Sequence, residues 1–443
     1  MDRSLGNMTP RRGKTKPPGS RSSAPRHFAG MVAAVVRNRR DGTGIRMPSV
    51  VATYNPHLRK TFGLIGMKKR TSFGQHTLDR QYFVSDEVFA AEHERIFFRS
   101  WLLAGHVSQL DHPGSYFLFE LEHESVVVLR DHDGEIRAFH NHCRHRGSRL
   151  CREAQGTLGT AIVCPYHAWA YGLDGTLKNV PAMKEVAGFD AADYPLHRVA
   201  LTNWEGFLFV NLAREPQPFE QALPGLIGRF RQWQPAELRA ADRRVYDVDA
   251  NWKMFFHNFS ECYHCPLAHP QLNKLTAFRN SENDLDEGSV LGGPMWMNNR
   301  EGSMTIGGER CAPAFAGLSA DERARVYYYT LFPGAFLSFH PEYVMVHRAI
   351  PLAKDRTRIV CEWYFHPDAI GAPGFDPKPA VDFWDMTNRQ DWDLCVNAYK
   401  GVISRAWEAG PYSELESQLA AFDRQYLRAM HGDTEPATSL RSA

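Results

Sequence analysis

The chain has 443 residues, 43% of them hydrophobic, which is enough for two ordinary domains with cores of their own. Its formal charge of +2 is unevenly spread: residues 1–73 hold 16 of the 52 Lys and Arg but only 2 of the 50 Asp and Glu, leaving 36 basic against 48 acidic residues in the remainder. An acidic body argues against nucleic acid as a partner. No apolar run nears the roughly eighteen residues that span a membrane, and eight cysteines in a chain this long are not a disulfide scaffold.

In chain order, the basic head comes first. With "TPRRGKTKPPGSRSSAPR", residues 1–74 have the composition of a disordered extension. Three readings fit it: an over-long start, with Met47 or Met67 as the true one; an Arg-rich, acid-poor organellar transit peptide; or a functional basic arm. "SDEVFAAEHERIFFRSWLLAG" then predicts a helix capped by Ser85, with acids in its first turns. "SYFLFEL", "SVVVLR" and "IRAFHN" alternate between Gly and Asp turns and read as antiparallel strands.

The next stretch carries chemistry. Cys143 and His145 form C-x-H, and after eighteen intervening residues Cys164 and His167 form C-x-x-H. Two thiolates and two imidazoles on two short loops make a closed four-ligand site, for zinc or for a two-iron cluster with both histidines on one iron. C-x-H is an unusual half-site for zinc. Cys151, within the spacer, reads as a packed thiol. A further strand, "WEGFLFVNL", precedes the Pro-containing "AREPQPFEQALPG", where a domain boundary falls near residue 215.

The second half opens with a helix from Asn251 that runs into "HNFSECYHCPLAHP". His264 and His269 lie five apart, about 140° around an unbroken helix, but Pro266 breaks the helix and lets the chain bring His269 back beside His264. Two imidazoles and a carboxylate would make the facial triad of non-haem iron. An irregular region is expected to about residue 323; within it Asp284, Asp286 and Glu287 read as a solvated acidic loop that could also attract a cation. Strands return in "RVYYYTLFPGAFLSFH", "EYVMVHRAI" and "TRIVCEWYFH". Of the aromatics here, Trp296, Tyr327, Tyr328, Tyr329, Phe332 and Phe336 read as sheet core, although a cationic substrate could sit over such faces. "AVDFWDMTNRQDWDLCVNAYKGVIS" is a long amphipathic helix, a second helix follows "GPYSE", and the last dozen residues read as frayed. Cys262 and Cys265 form a C-x-x-C that reads as buried free thiols. Asn258, one turn before Cys262, is either a hydrogen-bonding neighbour of the metal site or an ordinary polar residue.

"CRHRGSRLC" and "CPYHAWAY" resemble the Rieske domain of ring-hydroxylating oxygenases, with a spacer about one residue longer than usual. "NWKMFFHNFSECYHCPLAHP" resembles the catalytic-iron segment of the same family, and "NRQDWDLCVNAYKG" its C-terminal helix. The resemblance, over residues 75 to about 430, implies an α+β chain: an N-terminal Rieske all-β domain (75–215, with its leading helix) and a helix-grip, START-like catalytic domain with a curved antiparallel sheet (216–430), followed by a tail (431–443). It implies that Cys143, His145, Cys164 and His167 hold a [2Fe-2S] cluster. It makes His264, His269 and Asp391 the ligands of a mononuclear Fe(II), with Asp385 and Asp393 as ordinary carboxylates. Glu261 takes the place of the family's bridging carboxylate, which links a Rieske histidine of one subunit to an iron-ligating histidine of the next.

The same resemblance implies a head-to-tail homotrimer fed with NAD(P)H electrons by a separate flavin/iron-sulfur reductase, O2 as cosubstrate, and a reducing cytoplasm. Glutamate at 261 and "GPYS" after the last ligand helix are similar to the branch acting on choline, glycine betaine, carnitine and stachydrine. The expected reaction is hydroxylation next to a quaternary nitrogen, and the alternative is an aromatic ring-hydroxylating oxygenase. A ferredoxin-like electron carrier or a structural zinc protein would leave His264, His269 and Asp391 without a role.

Overall fold

The computed structural model describes residues 35–37, 49–51, 76–183 and 185–432. Val35–Arg37 and Ser49–Val51 form an antiparallel strand pair. The rest of the basic extension and the tail from residue 433 lie outside the described residues, and so do the expectations made for them.

The helix Asp86–Arg95 starts where its cap requires: Ser85 Oγ accepts the Val88 N–H at 3.2 Å, with Asp86 and Glu87 in the first turn. Its inner face carries Glu92, which is fully buried. Glu92 accepts Lys253 Nζ at 2.5 Å, Trp252 Nε1 at 2.7 Å and Tyr426 Oη at 2.6 Å. Lys253 is equally buried, so an ion pair joins this helix to Trp252–Phe259, and the Tyr426 hydrogen bond joins it to the C-terminal helix Ser417–His431.

The Rieske-like portion is antiparallel throughout. A four-stranded sheet runs Ile136–His140, Glu124–Arg130, Ser115–Leu121, Gln155–Thr157, and a three-stranded one Leu177–Asn179, Ala170–Gly172, Ala161–Val163. Between them lies a small core of Val127, Leu129, Phe139, Ile162, Trp169 and Tyr171. "WEGFLFVNL" supplies one strand, Phe207–Asn211, as expected, which pairs across the turn at Glu205–Gly206 with the preceding strand Ala200–Trp204.

The second portion is a six-stranded antiparallel sheet in the order Arg239–Val248, Arg356–Phe365, Val344–Ala353, Ala335–Phe339, Arg325–Leu331, Val290–Trp296. Both edge strands differ from expectation. Arg239–Val248 was not foreseen, because as an edge strand with exposed Arg239, Arg243, Val245 and Asp247 it lacks a clean apolar alternation. Val290–Trp296 lies inside the stretch expected to be irregular; its Gly292, Gly293 and Pro294 suppress strand propensity, and Pro is tolerated at an edge. One sheet face packs Leu337, Phe339 and Tyr329 against Trp233 and Phe230. The other packs Phe336, Met345 and Trp363 with Phe383, Trp384, Trp392 and Cys395 of the 25-residue helix Lys378–Val402.

Candidate metal centres

The two cysteine–histidine loops are built alike. After Ile136–His140, the Cys143 N–H bonds Ser148 O at 2.8 Å and the Gly147 N–H returns to Cys143 O at 3.0 Å. After Ala161–Val163, the Cys164 N–H bonds Trp169 O at 2.8 Å and the Ala168 N–H returns to Cys164 O at 3.1 Å. Each loop closes through a left-handed residue, Gly147 at φ 73° and Ala168 at φ 57°. The turns point both cysteines inward, each 2% exposed, and leave His145 exposed and His167 half-buried.

The imidazoles of His145 and His167 are 4.7 Å apart. His145 stacks flat on Trp169 at 4.8 Å, and His167 stacks on Tyr166 at 3.8 Å. Tyr171 Oη accepts the Arg144 N–H at 3.0 Å and donates to Cys143 Sγ at 3.3 Å. Burial pushes the Cys143 thiol up, opposed by that phenol, so it gives up its proton when a cation takes the sulfur. Two buried sulfurs on one side and two outward nitrogens on the other suit a cluster whose irons differ in ligand type. Among the described residues, the group of three or more such ligand atoms found within 4.8 Å of one another lies elsewhere, at His264, His269 and Asp391. Cys151 is buried with its thiol pushed up to about 11, which is the state of a packed thiol.

The second centre is assembled from two segments. His264 precedes the one-turn helix Cys265–Ala268, with Pro266 in its first turn, and His269 ends that helix and begins Pro270–Leu275. Asp391 comes from the middle of Lys378–Val402. Its Oδ1 lies 2.8 Å from His269 Nε2 and 3.3 Å from His264 Nε2, and the imidazole planes are nearly perpendicular with centroids 5.1 Å apart.

On the far side of each ring an acceptor takes Nδ1–H: Glu261 Oε1 at 2.5 Å for His264 and Gln390 Oε1 at 2.8 Å for His269. Both Nε2 atoms are thereby turned to the carboxylate, where each carries a proton or gives its lone pair to a bound metal, as an N,N,O site requires. Burial alone would lower the His264 pKa, but the Asp391 and Glu261 carboxylates push it up to about 10, while both imidazoles hold Asp391 below the usual range despite its burial. Positive charge is favoured at this point, and a divalent cation meets the same demand. Two nitrogens and one carboxylate oxygen fit the facial triad.

Asn258 Nδ2 lies 3.5 Å from His264 Nε2. Asp385 is engaged elsewhere, accepting Tyr246 Oη at 2.6 Å and pairing with Arg389 at 2.9 Å, and Asp393 is exposed. The Cys262 and Cys265 thiols are free and hydrogen-bond each other beside the site. Gln390 was missed in the sequence: an amide next to an acid on a helix has no signal of its own until the ring it orients is known.

The neighbouring aromatics divide. Trp296 is sandwiched by Arg325 at 3.8 Å and Arg300 at 4.6 Å, so protein cations already cover it. Tyr329 and Arg229 hold Asp284 at 3.0 and 2.6 Å, which ties down that acid of the loop. Phe332 and Phe336 are core.

Residues 235–432 match the ring hydroxylating alpha subunit catalytic domain, and residues 100–190 the Rieske [2Fe-2S] domain. The glycine betaine monooxygenase oxygenase subunit of Chromohalobacter salexigens is 31% identical over 378 residues, which cover 77% of this chain and 82% of the relative. The carnitine monooxygenase oxygenase subunit of Acinetobacter baumannii is 36% identical over 196 residues, 44% of this chain and 53% of the relative. Among solved structures, a quaternary ammonium Rieske monooxygenase superposes with a TM-score of 0.70 at 24% identity, covering 80% of this chain and 95% of the other. Naphthalene 1,2-dioxygenase from Rhodococcus gives 0.65 at 21% identity, covering 81% and 95%. Both show the fold.

Proposed function

This chain belongs to the Rieske-type ring-hydroxylating oxygenases, whose alpha subunits carry a Rieske [2Fe-2S] cluster and a mononuclear iron, and from that premise we propose that it hydroxylates a carbon next to the nitrogen of a quaternary ammonium compound, leading to demethylation or to an aldehyde hydrate. The observation that carries the substrate class is the likeness over 82% of a glycine betaine monooxygenase oxygenase subunit. It is supported by Glu261, set against His264 where the resemblance of the "ECYHC" segment placed the bridging acid.

In this reading Cys143 and Cys164 hold one cluster iron and His145 and His167 the other, while His264, His269 and Asp391 hold the mononuclear iron. When bound, the cluster supplies single electrons and the mononuclear iron the place where dioxygen is activated. The chain does the rest. Gln390 and Glu261 fix the two imidazoles by their Nδ1 protons, and the buried surround of His269 and Asp391 limits water around the reacting carbon. The exposed His145 and half-buried His167 support a reading in which they meet the Glu261 of a neighbouring subunit, in a head-to-tail homotrimer supplied by a separate NAD(P)H-dependent reductase. Residues 75–215 form the cluster domain and 216–430 the iron domain. The unpaired cysteines suit a reducing cytoplasm.

The test couples purified protein to a generic reductase with NADH and offers choline, glycine betaine, carnitine, stachydrine and simple aromatic acids in turn. Substrate-dependent oxygen uptake with formaldehyde or aldehyde release supports the reading. Uptake with an aromatic acid alone, yielding a diol or phenol, replaces it with ring hydroxylation.

A further inference from the structure

The sheet face that meets Lys378–Val402 carries polar groups that no protein atom satisfies. Tyr328 Oη, Ser338 Oγ and both ring nitrogens of His340 are enclosed without a hydrogen-bond partner. Ser338 and His340 are 0% and 1% exposed. Tyr328 and Ser338 are direct cross-strand partners, so their side chains share a face, and His340 follows Ser338 by two residues with its ring 6.0 Å from that of Tyr328.

The surroundings are partly satisfied, and His347 Nδ1, Trp363 Nε1 and Trp392 Nε1 at the same face share the deficit. Tyr343 Oη donates to Met304 O at 2.8 Å and accepts Trp384 Nε1 at 2.7 Å, and His347 Nε2 meets Asn388 Oδ1 at 3.2 Å. Buried polar groups in folded proteins almost always find partners, and three adjacent exceptions on one surface mark a place where a ligand completes the structure.

That place adjoins the iron site on both sides. Trp384, two helical turns before Asp391, has its ring 6.0 Å from Tyr328 and 5.6 Å from His340. Phe259, two residues before Glu261, lies 6.1 Å from Tyr328 and stacks on Phe336 at 4.5 Å. Burial holds His340 neutral, so each member of the trio offers one neutral donor: two hydroxyls and an imidazole N–H. None of the three carries charge. Neutral donors side by side on one buried face suit an anion, because hydrogen bonds to a carboxylate are shorter and stronger than neutral ones.

We propose that Tyr328, Ser338 and His340 form the subsite that takes a carboxylate at the far end of the substrate, so that the compound processed is a methylated-ammonium carboxylate rather than an amino alcohol. The ammonium end of that statement rests on the proposed function above; the carboxylate end does not.

The test measures Kd by isothermal titration on anaerobic, reduced holoenzyme with matched pairs: glycine betaine and choline, 4-trimethylammoniobutanoate and 4-trimethylammoniobutanol, benzoate and benzyl alcohol. Wild-type protein is expected to bind the acid of a pair at least about tenfold more tightly than the alcohol. Tyr328→Phe and Ser338→Ala should each shrink that ratio by about tenfold, the weight of a hydrogen bond to a charged group, with the alcohol's Kd little changed and the cluster's paramagnetic resonance signal intact. Equal binding of acid and alcohol by wild type, or a ratio unmoved in both variants, overturns the proposal. If the aromatic pair alone binds, the ammonium reading falls while the benzoate ratio still decides the carboxylate subsite.

Discussion

His264 donates its Nδ1 proton to Glu261 Oε1 at 2.5 Å, while Glu261 Oε2 accepts the backbone N–H groups of Tyr263 and His264. One carboxylate thus fixes both the ring and the loop that presents it. Glutamine at 261 has a single acceptor oxygen. If that oxygen serves His264, an NH2 faces two backbone donors; if it serves the backbone, the ring loses its partner. Glu261→Gln should keep the cluster and most of the mononuclear iron but slow reoxidation of the reduced cluster by oxygen and substrate at least about tenfold. Rapid mixing followed by absorbance of the cluster measures this, and an unchanged rate removes Glu261 from the electron path.

Asp391→Ala should abolish binding of the mononuclear iron and leave the cluster iron and acid-labile sulfide in place, because among the described residues its carboxylate is the one that faces both Nε2 atoms. Asp393→Ala should change neither, since its side chain is exposed. Gln390→Leu leaves the His269 Nδ1 proton without its acceptor and should weaken iron binding by about 10- to 100-fold. Iron-to-sulfide ratios after dialysis against a graded chelator separate these outcomes. Iron lost on Asp393→Ala and kept on Asp391→Ala would reverse the assignment.

The parts legible in the sequence were those whose chemistry is local. Cys143 with His145, and Cys164 with His167, sit on turns a few residues long, and Pro266 announces the break that brings His269 beside His264. Asp391 was reached through the resemblance of its helix, and the separation of Asp391 from Asp393 follows the helical period. What was not legible depends on partners far along the chain. Gln390 matters through a ring 121 residues away. The edge strands Arg239–Val248 and Val290–Trp296 exist because neighbours pair with them despite weak local preference. Tyr328 read as sheet core and Ser338 and His340 gave no signal of their own; only the folded strands bring the three together with unsatisfied polar atoms.

His106 links acidity to stability. Burial holds its pKa down to about 4, and both ring nitrogens are engaged: Nε2–H donates to Pro235 O at 3.0 Å, and Nδ1 accepts the Ser108 N–H at 3.2 Å. A proton added at Nδ1 would displace the Ser108 N–H and turn to the Ser108 hydroxyl at 2.9 Å, so burial is what resists it. The unfolded chain takes that proton near pH 6.5, whereas the folded chain resists it until about 4, so its contribution is present above pH 6.5 and is lost as pH falls toward 4. The loss is at most about 1.4 kcal/mol per pH unit for this group. Denaturant unfolding of His106→Gln should show a shallower decline over that window than wild type, from a lower stability at pH 7. Parallel curves would mean that His106 titrates normally in the folded protein.

The Lys253–Glu92 pair should show how far the N-terminal helix supports the iron site. Both side chains are 0% exposed, and the donors around Glu92 come from two other helices, Trp252 and Lys253 from one and Tyr426 from the other. Removing one partner strands a buried charge, so Glu92→Leu should destabilise the protein by about 3–5 kcal/mol. Tyr426→Phe removes a single hydrogen bond to Glu92 and should cost about 1–3 kcal/mol. In the double variant Glu92→Leu/Lys253→Met no charge is buried, and most of the loss should be recovered. Lys253 lies in the first turn of Trp252–Phe259, the helix that leads into Glu261 and His264, so the single variant should also lose mononuclear iron more readily than cluster iron. Denaturant unfolding with iron and sulfide analysis across the three variants and wild type tests both parts. A double variant no more stable than Glu92→Leu would show that the pair itself, rather than the stranded charge, carries the stability of this junction.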